Sequence, residues 1–201
     1  MTIIHRAVQK LKSSLEGSGC DHGVVSLWVN KDVPVCQYPR GVCLEGVYGG
    51  RTAEMVTTTP LEAKTKLSFL YDAALKKPKT RAAAVAIINV ITGFTCQSRK
   101  LHACPPSSHA ECREMLATLY DGGMIYPVGN LKEIPDIFRG RIAESPEKAD
   151  IIIIAGDGLI SDEGIEIQEK YQDTKEIIYL GPSTAGVATL LDLKHFCPFG
   201  R

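Results

Sequence analysis

Five side chains suited to soft-metal binding or nucleophilic attack fall between positions 96 and 112: Cys96, His102, Cys104, His109 and Cys112. His195 and Cys197 stand near the other end of the same half. Thiolate and imidazole bind zinc, iron and related ions, and a thiolate can also attack an electrophile. Ser108-His109-Ala110-Glu111 has the form of a capping box. It places Cys112 in the first turn of a helix, where the dipole and free amides favour thiolate. Cys104, Cys112 and Cys197 are therefore the expected ligands of a metal ion or iron-sulfur cluster, with His102 and His109 beside them. Cys112 is alternatively a nucleophile. The spacing of Cys104 and Cys112 is not CxxC and matches no zinc-ribbon or ferredoxin pattern. Burial as small hydrophobes is the third reading, because cysteine is among the most buried residue types. Cys20, Cys36 and Cys43 lie on or beside a predicted meander and read as core or surface residues of that layer.

A second group comprises glycine-rich loops: Gly129-Asn130, Gly156-Asp157-Gly158 and Gly181-Pro182-Ser183-Thr184-Ala185-Gly186. Each follows a predicted strand and precedes a helix. In open parallel sheets such loops converge at the carboxyl edge, where ligands sit. Gly156, Gly158, Gly181 and Gly186 would let backbone approach an anion, with Ser183 and Thr184 capping a helix whose amides point outward. None of these loops matches the dinucleotide fingerprint or the Walker pattern, and strand-to-helix turns need glycine and a cap in any case. Asp157 follows four isoleucines and so marks where a buried strand surfaces. It reads as a general base, a polar anchor or a cap on a loop amide.

The elements that must position these groups are legible from periodicity. Residues 3–15 place Ile4, Val8, Leu11 and Leu15 at helical spacing before a Gly-Ser-Gly stop. Residues 24–29, 33–38 and 41–48 read as an antiparallel meander, the second with a proline typical of edge strands. Helices are predicted over 62–75 and over the alanine-rich, apolar 80–91. From residue 96 onward helices and strands alternate: helix 108–120, strand 124–128, helix 131–139, strand 150–155, helix 161–172, strand 176–180, helix 183–191 and a short strand 195–199. That alternation predicts a parallel sheet. The fold class is thus α/β: a small N-terminal α+β meander domain over residues 1–95, then a Rossmann-like parallel-sheet domain over 96–201.

Acidic and basic residues balance at 23 each, so no overall field draws the chain to nucleic acid or to an anionic membrane. No apolar run approaches the roughly 20 residues needed to span a bilayer, and the first residues lack a signal-peptide core. The expectation is a cytoplasmic protein with reduced thiols. A small molecule or metal is its ligand, and a homo-oligomeric scaffold is the remaining alternative.

Residues 24–29, Leu67-Ser68-Phe69-Leu70 through 82–89, Ala149 through Gly156 and Gly181-Pro182-Ser183-Thr184 together resemble a family described as a putative heavy-metal chelation domain, preceded by a small enolase N-terminal-like domain. The resemblance covers most of the chain. It implies loops at a domain cleft and metal chelation, with a link to anaerobic cobalamin metabolism. The stretch 102–112 and the Cys197-Pro198 ending lie outside the features that carry it. The readings that emerge are a metal or iron-sulfur protein using the Cys/His cluster or, alternatively, an enzyme of a small phosphate- or carboxylate-bearing metabolite held at the glycine loops.

Overall fold

The computed structural model describes residues 1–201 and contains two four-stranded sheets, one antiparallel and one parallel. Helix α1 (Ile3–Leu15) is capped by Thr2, whose side chain accepts from the His5 amide. Its stripe of Ile4, Val8, Leu11 and Leu15 is buried, each side chain stabilising the fold by at most about 1.5–3 kcal/mol. Strands β1 (Val24–Asn30), β2 (Val42–Tyr48), β3 (Arg51–Thr57) and β4 (Ala63–Lys66) form the antiparallel sheet in the order β3-β2-β1-β4. Gly49 and Gly50 both adopt positive φ between the paired residues Tyr48 and Arg51. This is the two-residue hairpin that glycine pairs favour.

Two N-terminal expectations are corrected. Residues 33–38 form no strand: Pro34 and Pro39 remove amide donors, and the segment leaves the sheet to bury Cys36 and Tyr38 against the other half. The helix expected over 62–75 is edge strand β4 followed by a 3-10 turn, Leu67–Leu70. The free edge of β1 overrides the helix propensity of this segment.

Helix α2 (Pro78–Phe94) is buried without interruption from Arg81 to Thr92, because it lies between layers. One side meets β2 and β3, the other the late helix α6 (Ala185–Leu191). Its alanines permit the close approach: a Cβ on Gly46 of β2 would stand 2.8 Å from the Ala86 carbonyl.

The second half holds α3 (His109–Leu119), β5 (Ile125–Val128), α4 (Ile134–Ile137), β6 (Ile151–Ile154), α5 (Asp162–Tyr171), β7 (Glu176–Leu180), α6 (Ala185–Leu191) and β8 (His195–Phe196). The strands run parallel in the order β5-β6-β7-β8. Strand β6 shows how the sheet divides the interior. Ile152 and Ile154 enter the larger core with α1, α2 and α6, while Ile151 and Ile153 enter a smaller one with Leu116, Ile134 and Phe138. The larger core contains residues of both sequence halves, so 1–95 and 96–201 each carry one sheet but share an interior. Three second-half elements differ from expectation. Ser108 is itself in helical conformation and makes no side-chain cap. Only one turn of the helix expected over 131–139 forms. The last strand is confined to two residues. No helix is long and apolar enough to cross a membrane.

Candidate functional site: a buried four-thiol chamber

The carboxyl edge of the parallel sheet is where the predicted site residues gather, and it divides into two parts. In the first, the glycine loops are filled by the chain itself. Gly156 and Gly158, and every residue from Gly181 to Gly186, are buried. Ser183 Oγ accepts from the Val56 amide at 2.9 Å, and Thr184 Oγ1 donates to the Gly181 carbonyl at 3.0 Å. The Gly186 amide donates to Asn89 Oδ1 at 2.9 Å, while Asn89 Nδ2 donates to the carbonyls of Glu54 and Ser183. Asp157 Oδ1 accepts from Thr57 Oγ1 at 2.5 Å, and its Oδ2 accepts from the Thr58 amide at 3.0 Å and from the Thr58 hydroxyl. A Cβ on Gly156 would stand 2.6 Å from Pro39 Cβ. These loops therefore present no open cradle: strand β3, its following threonines and α2 occupy the positions where a ligand was expected.

In the second part, four cysteines line one cavity. Cys36 enters from the loop between β1 and β2, Cys104 from the segment before α3, Cys112 from α3 and Cys197 from the residues after β8. Gln37, Tyr38, Gly181, Phe196 and Gly200 are among the residues of the remaining wall. All four cysteines are buried, and none is in a disulfide. The enclosed volume is about 10 Å³, room for about one water-sized sphere. Two glycines bring backbone against the sulfurs. A Cβ on Gly181 would stand 3.1 Å from Cys36 Sγ, and one on Gly200 would stand 2.5 Å from Cys197 Sγ. Gly181 also has φ +81°, a conformation that glycine adopts without strain.

Burial sets the protonation of the chamber. It pushes the Cys197 thiol up to about 12, with Cys112 and Cys104 adding to the rise. Burial likewise raises Cys36, whose neighbours Cys197, Cys104 and Cys112 raise it further against the opposing Tyr38 backbone hydrogen bond. Cys104 is raised by burial and by Cys112. Cys112 corrects the thiolate expectation. Its burial raises the thiol, and hydrogen bonds from Tyr38 and Gln37 only partly oppose this. The Tyr38 hydroxyl lies 3.2 Å from Cys112 Sγ. Near neutral pH the chamber holds four neutral thiols.

The histidines fall elsewhere. His109 contributes its carbonyl, which accepts from Gln37 Nε2 at 3.1 Å. The buried Gln37 Oε1 and His109 Nε2 have no hydrogen-bond partner. His102 faces away from the thiols: its Nδ1 is 3.3 Å from Glu54 Oε1 and its Nε2 3.4 Å from Thr52 Oγ1. His195 Nε2 lies 2.9 Å from the Gly181 carbonyl. No group of three or more His, Cys, Asp or Glu side chains stands arranged to hold a metal ion. The thiols share a cavity but have not converged to bonding distance of a common point.

Sequence reasoning missed Cys36, Gln37 and Tyr38. The available signal was the pair of prolines at 34 and 39, which argued against a paired strand and left Cys36 free to leave the meander. Cys96 stays exposed and apart from the chamber. Compared with protein-family models, curated proteins and solved structures, the chain matches none.

Proposed function

We propose that the protein binds a single thiophilic metal ion, with Cys36, Cys104, Cys112 and Cys197 as ligands, and serves as a metal chelator or carrier. The observation that supports this most is the meeting of four buried thiols from four separate segments around one small cavity. Isolated buried cysteines act as small hydrophobes, but packing alone gives no reason for all four to line the same void. The donor set suits zinc, cadmium, cobalt(II) or copper(I). The volume favours one ion over an iron-sulfur cluster, which would need the chamber to open. Thiolate-zinc bonds are about 2.3 Å, so loading requires the four segments to draw inward.

The thiols must lose protons to bind. Because burial raises all four, uptake is expected to release protons and to strengthen as pH rises. Titrating anaerobic, reduced protein with cadmium should produce sulfur-to-metal charge-transfer absorbance saturating at one ion per chain. Cys36→Ala, Cys104→Ala, Cys112→Ala and Cys197→Ala should each abolish or strongly weaken it. Cys43→Ala, which removes a buried thiol outside the chamber, and His102→Ala should leave it intact. Equal loss in Cys43→Ala, or no saturable signal in the unmodified protein, would sink the proposal.

A further inference from the structure

A larger cavity of about 520 Å³ is lined by Arg201, next in sequence to the Cys197–Gly200 stretch that lines the thiol chamber. Gly50, Arg51 and Thr52 of the β2–β3 hairpin line it, together with Gly93 at the end of α2, residues of the 96–102 loop and Arg201. We infer that this cavity is a binding site for a small, multiply charged anion without an aromatic ring, such as a phosphate ester or a polycarboxylate.

Its volume lies within the range of metabolite sites. Of its ten lining residues only two are hydrophobic, none is Phe, Tyr or Trp and none has an acidic side chain. That composition disfavours an apolar ligand or a stacked base. Arg51, Arg99 and Arg201 all line it, and none of them is ion-paired to a carboxylate. Arg201 Nε donates to the Ala103 carbonyl at 3.4 Å, while the guanidinium groups of Arg51 and Arg99 make no hydrogen bond within the chain, and the three around one concavity form a fork-shaped donor array suited to oxyanions. Thr52 and Ser98 add hydroxyls.

The walls are built rather than incidental. Glu54, 4% exposed, accepts from His102 and from the Ala103 amide at 3.0 Å, fixing the imidazole at the rim while its own charge stays behind it. The amides of Leu101 and His102 both donate to the Arg201 carbonyl at 2.7 Å, and the Arg201 amide donates back to the His102 carbonyl at 3.1 Å. The loop is held to α2 by the Gln97 and Ser98 amides on the Thr92 carbonyl. Cys96 within it has φ +58°, a sparsely populated conformation for a non-glycine residue. There it closes α2: the Cys96 amide donates to the Gly93 carbonyl and the Gln97 amide to the Thr92 carbonyl, the hydrogen-bond pattern of a left-handed helix C-cap, which turns the chain from α2 into the cavity loop.

The site is independent of the metal proposal. The test is isothermal titration calorimetry of the unmodified chain with inorganic pyrophosphate and, separately, with citrate, glucose serving as a neutral control. Saturable one-to-one binding of pyrophosphate points to a phosphate-bearing ligand and of citrate to a polycarboxylate; both support the inference. The double variant Arg51→Gln/Arg99→Gln should weaken that binding at least about tenfold per charge removed. Arg139→Gln, on an exposed arginine away from the cavity, should not. Neither Arg51 nor Arg99 makes a side-chain hydrogen bond or ion pair, so the urea midpoint and cadmium stoichiometry of the double variant should stay those of the parent. No binding of either anion at millimolar concentration, or equal binding by the double variant, would overturn the inference.

Discussion

The two parts of the carboxyl edge are built from the same kinds of segment yet end in opposite states. At the 156–158 and 181–186 loops the polar groups identified from sequence have partners within the chain: Ser183 on Val56, Thr184 on Gly181, Gly186 on Asn89 and Asp157 on Thr57 and Thr58. At the thiol chamber, four cysteines surround a small void. A satisfied set of hydrogen bonds holds the two sheets together, whereas the four thiols face a void that no side chain of the protein fills. The glycines in the first part serve close packing between halves, and those in the second bring backbone against sulfur.

The largest expected effect breaks the satisfied side. Asn89→Ala leaves the Glu54 and Ser183 carbonyls and the Gly186 amide buried without this partner, and should destabilise the fold by about 3 kcal/mol or more. Asp157→Ala, at a partly exposed position, should cost only about 1 kcal/mol. Urea denaturation of both variants checks the ordering. If Asp157→Ala proved as costly as Asn89→Ala, the carboxylate would be carrying strain or charge that the hydrogen bonds alone do not account for.

A smaller effect sharpens the other side. Without metal, Cys197→Ala should cost on the order of 1 kcal/mol, since one buried sulfur is lost and a small void remains. With saturating cadmium the parent gains stability by mass action and the variant does not, so the difference between them should widen with metal concentration. Thiol labelling gives a parallel measurement. Exposed Cys96 should react first with a disulfide reagent at neutral pH and the four chamber thiols slowly, because burial keeps them as thiols. Fast labelling of Cys36 or Cys197 would show that the chamber opens readily.

How much of this was legible follows from the range over which each signal acts. Helix α1 and strand β6 are local patterns, Ile4-Val8-Leu11-Leu15 and four consecutive isoleucines, and both formed where periodicity placed them. Strand β3 had a readable cue in Gly49-Gly50 that a local scan passed over. Ala63–Lys66 could not be read locally, because its strand state comes from pairing with β1. The chamber was half legible: Cys104, Cys112 and Cys197 were grouped from sequence as one expected set, and all three line the same cavity. Cys36 was not, since only the crossing of the 31–41 loop brings it there. The glycine loops looked like a cradle because glycine beside a cap is the same signal whether a ligand or a neighbouring strand fills the space.

The smallest effect separates the two histidines that flank the edge. The hydrogen bond to the Glu54 carboxylate, chiefly, raises His102 above its ordinary 6.5, with burial opposing. Burial lowers His195 below the same value, against its bond to the Gly181 carbonyl. Their contributions to stability must therefore run in opposite directions with pH. That of His102 is fully present below 6.5 and is lost as pH rises through its raised folded value. That of His195 is present above 6.5 and is lost as pH falls through its lowered folded value. Imidazole proton shifts followed by NMR from pH 5 to 8, a range set by the ordinary histidine value of about 6.5, should show His102 titrating on the alkaline side and His195 on the acidic side. In His102→Gln the loss of stability above pH 6.5 should flatten by a few tenths of a kcal/mol, the modest size expected of a partly exposed pair. If both rings titrated together near 6.5, Glu54 would not be holding His102 as a charged partner. The rim of the larger cavity would then lack one of its cations.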